Sequence, residues 1–140
     1  MDNYIQILEK CFHISLLRPF FRNFRKELTK MPKVYFNDLG LRNVLVNRFE
    51  ALPDRFDKGQ LLENYFFLRF IEKYDAEQVF FWQTSTGQEV DFVIRETLTK
   101  GQAFEIKWAE SKIAPNKYTF FKEAHPEFPL QFLSSEDYVW

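Results

Sequence analysis

Glycine, histidine and cysteine are scarce in this chain, and each scarcity removes a class of chemistry. The four glycines, Gly40, Gly59, Gly87 and Gly101, form neither G-x-x-x-x-G-K-[ST] nor G-x-G-x-x-G, so the chain has no nucleotide site of either kind. Two histidines and one cysteine cannot build a Cys/His zinc centre, and a Ser-His-Asp triad would have to rest on His13 or His125. His13 lies in an apolar run and reads as a strand residue. His125 precedes Pro126 in an expected loop and reads as solvated. Cys11 has no partner for an intrachain disulfide, and its helical spacing predicts a small buried thiol. No apolar run approaches the roughly 18 residues of a membrane span, and no charged-then-apolar leader opens the chain. The expectation is a soluble, cytoplasmic protein with no membrane partner. A formal net charge of -1 argues against a general polyanion binder, leaving local patches to decide.

Aromatic rings, by contrast, are abundant. Eighteen Phe, six Tyr and three Trp in 140 residues predict a core built from rings, or a ring-covered surface meant for another domain. The length suits a single domain of ordinary size, or one domain with an added piece.

Asp2 and Asn3 can cap a first helix over 2–11, with Tyr4, Ile7, Leu8 and Cys11 at helical spacing. An apolar stretch, 14–17, leads into a basic segment with Arg18, Arg22, Arg25, Lys26, Lys30 and Lys33, and then a strand over 34–36. Asn37-Asp38 caps a helix over about 39–48, which Pro53 closes, and Asp57 opens the longest helix, about 58–73. Strands are expected near 78–82, 89–95 and 102–108, with Thr84–Gly87 turning the first into the second. A helix near 116–124 and a strand over 130–133 complete an α/β (α+β) order, αβββαβ. The stretch 53–57 is a plausible joint, giving a first part over 1–53 and a second over 54–140.

The chemistry concentrates in two runs, Val90-Asp91-Phe92-Val93-Ile94 and Phe104-Glu105-Ile106-Lys107-Trp108. Alternation puts Glu105 and Lys107 on one face and Phe104, Ile106 and Trp108 on the other. If segment 95–101, ending in Lys100-Gly101, joins the runs as antiparallel neighbours, Asp91 comes beside Glu105 and Lys107. Neighbouring carboxylates raise each other's pKa unless a cation separates them, and a hard dication with oxygen ligands is the usual one. The lysine beside them could orient or activate a water. A solvated hairpin face also alternates charged with apolar residues, so the runs alone leave that reading open.

Glu63 sharpens the choice. Its i+3, i+4 and i+7 neighbours are Phe66, Phe67 and Phe70, and a carboxylate on such a face needs a cation, a metal or a donor. Arg69 and Lys58 are local candidates for pairing it. Glu89 shares the face of Asp91 by two-residue alternation, and Gln83, Lys112 and Lys117 stand further out as polar candidates.

Taken together, the element order with Glu63 on the first helix, Asp91 on the second strand and Glu105-x-Lys107 on the third resembles the PD-(D/E)xK restriction-endonuclease-like superfamily. The wider wording is similar to a C-terminal domain of unknown function in prokaryotic AAA+ ATPases. It lies in Lys33–Leu41, Gly59–Tyr65, Phe81–Thr84, Glu89–Val93 and Glu105–Trp108. The resemblance covers nearly the whole chain. It implies a restriction-endonuclease-like core preceded by a truncated winged-helix remnant, and a chain cut from a longer protein whose ATPase part lies upstream. For the site it implies Mg²⁺ or Mn²⁺ held by Asp91, Glu105 and the carbonyl of Ile106, with Glu63 acting directly or through water. Lys107 would orient the nucleophile in phosphodiester hydrolysis on DNA. The alternative is a non-catalytic module that binds DNA or docks on the ATPase domain of the same parent protein.

Overall fold

Runs rich in Val, Ile and Phe pair into one sheet, and their pairing order decides where the charged residues come to rest. The computed structural model describes residues 2–21 and 31–137, so Arg22, Arg25, Lys26 and Lys30 of the basic segment lie outside the described residues. The elements are α1 (Asp2–Lys10), β1 (Ile14–Pro19), β2 (Lys33–Phe36), α2 (Leu39–Val46), α3 (Lys58–Lys73), β3 (Val79–Gln83), β4 (Glu89–Thr97), β5 (Lys100–Ile106), α4 (Thr119–Ala124) and β6 (Leu130–Leu133). From residue 58 to 133 the order is helix, three strands, helix, strand.

The fold is mixed α+β around a six-stranded sheet ordered β2-β1-β3-β4-β5-β6. β1 runs parallel to β3 and β5 parallel to β6, while the other neighbours are antiparallel. The sheet therefore takes strands from both sides of residue 53.

Helix α3 has the length and apolar density to cover one sheet face. Leu62, Phe66, Phe67 and Phe70 pack with Phe81, Phe92, Ile94 and Phe104 in one cluster. Each such side chain contributes roughly 1.5–3 kcal/mol relative to exposure. The opposite face carries a second cluster of Phe20, Phe80, Trp82, Val93, Phe121 and Phe128, supplied partly by α4 and the segment after it. Covering both faces explains the unbroken apolar character of β4. It also removes the solvated-hairpin reading: Asp91 and Glu105 are only 8% and 3% exposed.

Local signals act as expected at some positions and differently at others. Asp38 caps α2 by accepting from the Leu41 amide at 2.7 Å. The helix ends at Asn47, whose φ of 52° places it in the left-handed region, with its own amide on Val44 O and the Arg48 amide on Asn43 O. Pro53, expected to close that helix, instead sits in a short 3-10 turn over Leu52–Asp54. Asp57 precedes α3 without a side-chain capping bond. Its carboxylate is taken by Arg42 at 2.8 Å and by Arg55 at 2.9 Å, all three groups being buried. Burial opposes its ionisation, yet the Arg55 hydrogen bonds and the Arg42 guanidinium hold the Asp57 carboxyl well below the usual range.

Gly101, expected in the turn, lies inside β5 opposite Arg95, and the turn falls at residues 98–99. A Cβ there would come within 2.0 Å of the Ile94 carbonyl oxygen and 2.5 Å of the Phe128 ring. Only glycine fits that close approach.

Other expectations change near the two histidines and in α1. Cys11 follows α1 and is exposed. The apolar stripe of α1 likewise faces outward, with Tyr4, Ile7 and Leu8 all exposed, so helical spacing there marks no buried face. His13 is an exposed bend residue immediately before β1. His125 is buried at the end of α4 against the rings of Phe20, Phe121 and Trp82, at 5.4, 5.3 and 6.0 Å.

Candidate functional site

The site is built on an irregularity in β4. Phe80 pairs with Val93 and Trp82 with Val90, so β4 carries one residue more than β3 between these pairs. Such a bulge breaks strict alternation and re-aims a side chain. Val90 and Val93 both join the α4-side cluster, Phe92 joins the α3-side cluster, and Asp91 occupies the irregular position between them.

Asp91 then stitches β4 to β5. The last rung of that ladder is Phe92 opposite Phe104. Beyond it, the Asp91 carboxylate accepts from the Ile106 amide at 2.8 Å, and the Asp91 amide donates to Glu105 Oε2 at 3.3 Å. Two buried carboxylates are thus brought into contact through backbone donors. Burial, reinforced by the charges of Glu63 and Glu105, pushes the Asp91 carboxyl up to about 8, against the Ile106 amide and Lys33, which favour the charged form.

On one side Asp91 meets residues from β2 and α3. The Lys33 ammonium lies 3.1 Å from Glu63 Oε1 and 3.9 Å from Asp91 Oδ1, and it pairs closely with Glu89. The Tyr35 hydroxyl donates a short hydrogen bond to Glu63. Its ring is held by stacking on Phe67 at 4.4 Å, which fixes where the hydroxyl points. Asn64, next on α3, accepts from the Phe36 amide at 3.0 Å and donates to its carbonyl at 2.8 Å. That pair sets the height of β2 against α3, and hence of Lys33 and Tyr35 against Glu63.

On the other side Glu105 is held from two directions. Lys107 Nζ lies 2.5 Å and the Tyr118 hydroxyl 2.7 Å from Glu105 Oε1. Burial and the Glu105 charge raise the pKa of Tyr118, and burial with the Glu63 charge raises that of Tyr35, so both phenols stay protonated as donors. Burial works against the charge on Lys33, but Glu63, Glu89 and Asp91 together outweigh it and raise its pKa.

All four residues expected to carry the chemistry, Glu63, Asp91, Glu105 and Lys107, therefore belong to one connected network, and Ile106 joins it through its amide. Glu63 is half-buried and bonds to neither local candidate. Arg69 pairs with Glu72 at 2.5 Å, and Lys58 bonds the Pro53 carbonyl at 2.8 Å. Glu89 enters through Lys33, and Gln83 stands opposite it in the ladder. Lys112 is exposed, and Lys117 lies 5.6 Å above the Tyr118 ring.

Residues 58–136 match a family model described as a domain of unknown function, DUF4143. The chain belongs to the DUF4143 family. Residues 1–52 match a second domain of unknown function, DUF8612. No curated protein and no solved structure matches the chain. The DUF4143 part supplies Glu63, Glu89, Asp91, Glu105, Lys107 and Tyr118, whereas Lys33 and Tyr35 come from the DUF8612 match.

Those two, with Tyr118, are the participants that sequence reasoning missed. Lys33 stands in the sequence as the end of a basic segment and the start of the family-like block, with no site role, although Lys33-Val34-Tyr35 carries the same two-residue alternation as Glu105-Ile106-Lys107, with Val34 turned outward. Tyr118 left no such signal, because its role depends on the chain returning over the sheet after β5.

An all-oxygen donor set suits a hard dication, and Lys33 already stands as a cation among three of the carboxylates. Four carboxylates face two ammonium groups across the network, leaving two negative charges unmatched when all are ionised. The chemistry of the residues therefore fits such an ion. Among the described residues no three acidic, histidine or cysteine groups already stand in a metal-holding arrangement. Beside Lys33 and Glu63 a cleft of about 330 Å³, lined also by Tyr35, Gln60 and Asn64, opens toward the surface.

Proposed function

We propose that this DUF4143 chain is a divalent-cation-dependent phosphodiester hydrolase module of the PD-(D/E)xK kind, acting on DNA. The observation that carries the reading is the buried contact between Asp91 and Glu105 through Oε2, with Lys107 on the other Glu105 oxygen, Oε1. Mg²⁺ or Mn²⁺ would be held by Asp91, Glu105 and the carbonyl of Ile106, with Glu63 direct or through water. Such an ion lowers the pKa of bound water and polarises a phosphoryl oxygen.

The chain's own residues supply the rest. The Ile106 amide fixes Asp91, and Tyr118 fixes Glu105. Lys107 would orient the attacking water and meet negative charge as it develops on the phosphate. We read residues 1–53 as a winged-helix remnant and 54–140 as the nuclease-like domain. Domains of this family commonly stand C-terminal in AAA ATPases, which supports a parent ATPase as partner and a cytoplasmic setting. Among the described residues, no helix is long and apolar enough to cross a membrane.

A second reading, a non-catalytic module that binds DNA or docks on that ATPase domain, draws on the exposed apolar residues Tyr4, Ile7, Val44 and Leu45 and on the ammonium already set among the carboxylates. Cleavage of a DNA substrate at millimolar Mn²⁺, compared between the unmodified chain, Asp91→Asn and Lys107→Ala, separates the two. The hydrolase reading expects cleavage that both substitutions abolish. No Mn²⁺ binding and no Lys107-dependent cleavage would leave only the second.

A further inference from the structure

We infer that Lys33 is a built-in competitor of the divalent cation, so that the ion's affinity is set by how readily this ammonium leaves the carboxylates. The inference rests on the metal-dependent reading above and names how that site is regulated.

Three observations converge. Lys33 faces Glu63 from α3 and Glu89 and Asp91 from β4, with the Phe81 ring of β3 5.3 Å from its ammonium. Its tip therefore occupies the space where those carboxylates come together. Lys107, the other ammonium, is committed to Glu105 Oε1 and balances a different part of the network. Glu63 and Asp91 also stand 3.1 and 3.9 Å from the ammonium, farther than a small dication would hold them. Ion-pair contacts run at about 2.7–2.9 Å, whereas Mg²⁺ needs oxygens at about 2.0–2.1 Å. Glu63 and Asp91 must draw inward for an ion to be held at the ammonium's place, consistent with the lack of a ready metal arrangement among the described residues.

Linkage makes the competition reciprocal: whatever Lys33 contributes to holding the carboxylates apart is subtracted from cation binding, and a bound cation expels Lys33 by the same factor. The residue belongs to the DUF8612 match while its acidic partners belong to DUF4143, so one family segment sets the occupancy of the other's site.

The test is Mn²⁺ titration calorimetry on the full chain, comparing the unmodified protein with Lys33→Gln, Lys33→Met and Lys33→Arg. The neutral variants should bind Mn²⁺ at least about tenfold more tightly, the Arg variant should stay near the unmodified value, and adding Asp91→Asn should abolish the gain. Equal, Asp91-dependent affinity in all forms would overturn the role of Lys33 while leaving the metal site standing. No binding in any form would overturn both. A second measurement needs no substitution: acetylation of Lys33 by an amine-reactive ester, followed by mass spectrometry, should accelerate severalfold on adding Mg²⁺. An unchanged rate in an ion-binding protein would refute the competition even if a variant failed to fold.

Discussion

The amide of Asp91 donates to a carboxylate oxygen of Glu105, while the carboxylate of Asp91 takes the amide of the residue after Glu105. This reciprocal stitch holds two acidic side chains together in a place that water barely reaches. Its first consequence is thermodynamic. The folded-state pKa of Asp91 is raised to about 8 by burial and by Glu63 and Glu105, above the ordinary 3.8. Between those values the folded chain holds a proton that the unfolded chain has released, so stability falls as pH rises from about 4 to about 8 and then levels off. Thermal melting across that range should show a declining midpoint. Asp91→Asn should flatten the decline, and an unchanged slope would show that the proton resides elsewhere.

The opposite sign is expected at Asp57. With its pKa depressed by Arg55 and Arg42, its stabilisation is complete above the unfolded value near 4 and is lost as pH falls toward the folded value. Asp57→Ala leaves two buried guanidinium groups facing each other without their shared anion. Breaking a buried pair in this way costs about 3–5 kcal/mol, and denaturant unfolding at neutral pH measures it. A loss below about 1 kcal/mol would mean that the guanidinium groups find other partners.

How far the sequence disclosed this arrangement depended on what kind of signal each residue left. The limits of α3 and β6 were readable because helical rows of Leu and Phe and the break at Pro129 are local. Asp91, Glu105 and Lys107 were readable because two-residue alternation makes a charged position stand out in an apolar run. Burial of that charged face was not readable, since the cover comes from α4, far along the chain. The bulge at Asp91 depends on the register between β3 and β4, which alternation within either strand does not encode. Lys33 was hidden by its neighbours: a lysine after a run of basic residues reads as surface until β2 is seen against α3.

Tyr118 provides a test of how much the far side of the site contributes. Tyr118→Phe keeps the ring in its cluster and removes only the hydroxyl that donates to Glu105. Hydrogen bonds to charged groups contribute about 1.5–3 kcal/mol, so a loss of that order in unfolding free energy is expected. In the hydrolase reading Mn²⁺-dependent cleavage should also fall, because Glu105 keeps Lys107 and the Asp91 amide but loses the phenol that fixes Oε1. Full activity with reduced stability would make the tyrosine purely structural.

Gly101 tests the sheet that carries the site. A methyl group there meets the backbone oxygen of Ile94, which cannot rotate away, and the ring of Phe128, which is packed in the cluster under α4. Relief requires β4 and β5 to separate at the rung between Arg95 and Gly101, a few residues from the Phe92 to Phe104 rung next to Asp91. Gly101→Ala should therefore cost at least the 1–3 kcal/mol or so typical of overpacking. Amide hydrogen exchange should show lost protection at Ile106, whose amide donates to Asp91, before α3 is affected. If the substitution instead leaves both the midpoint and the exchange pattern unchanged, the two strands do not approach as closely as the 2.0 Å clearance demands.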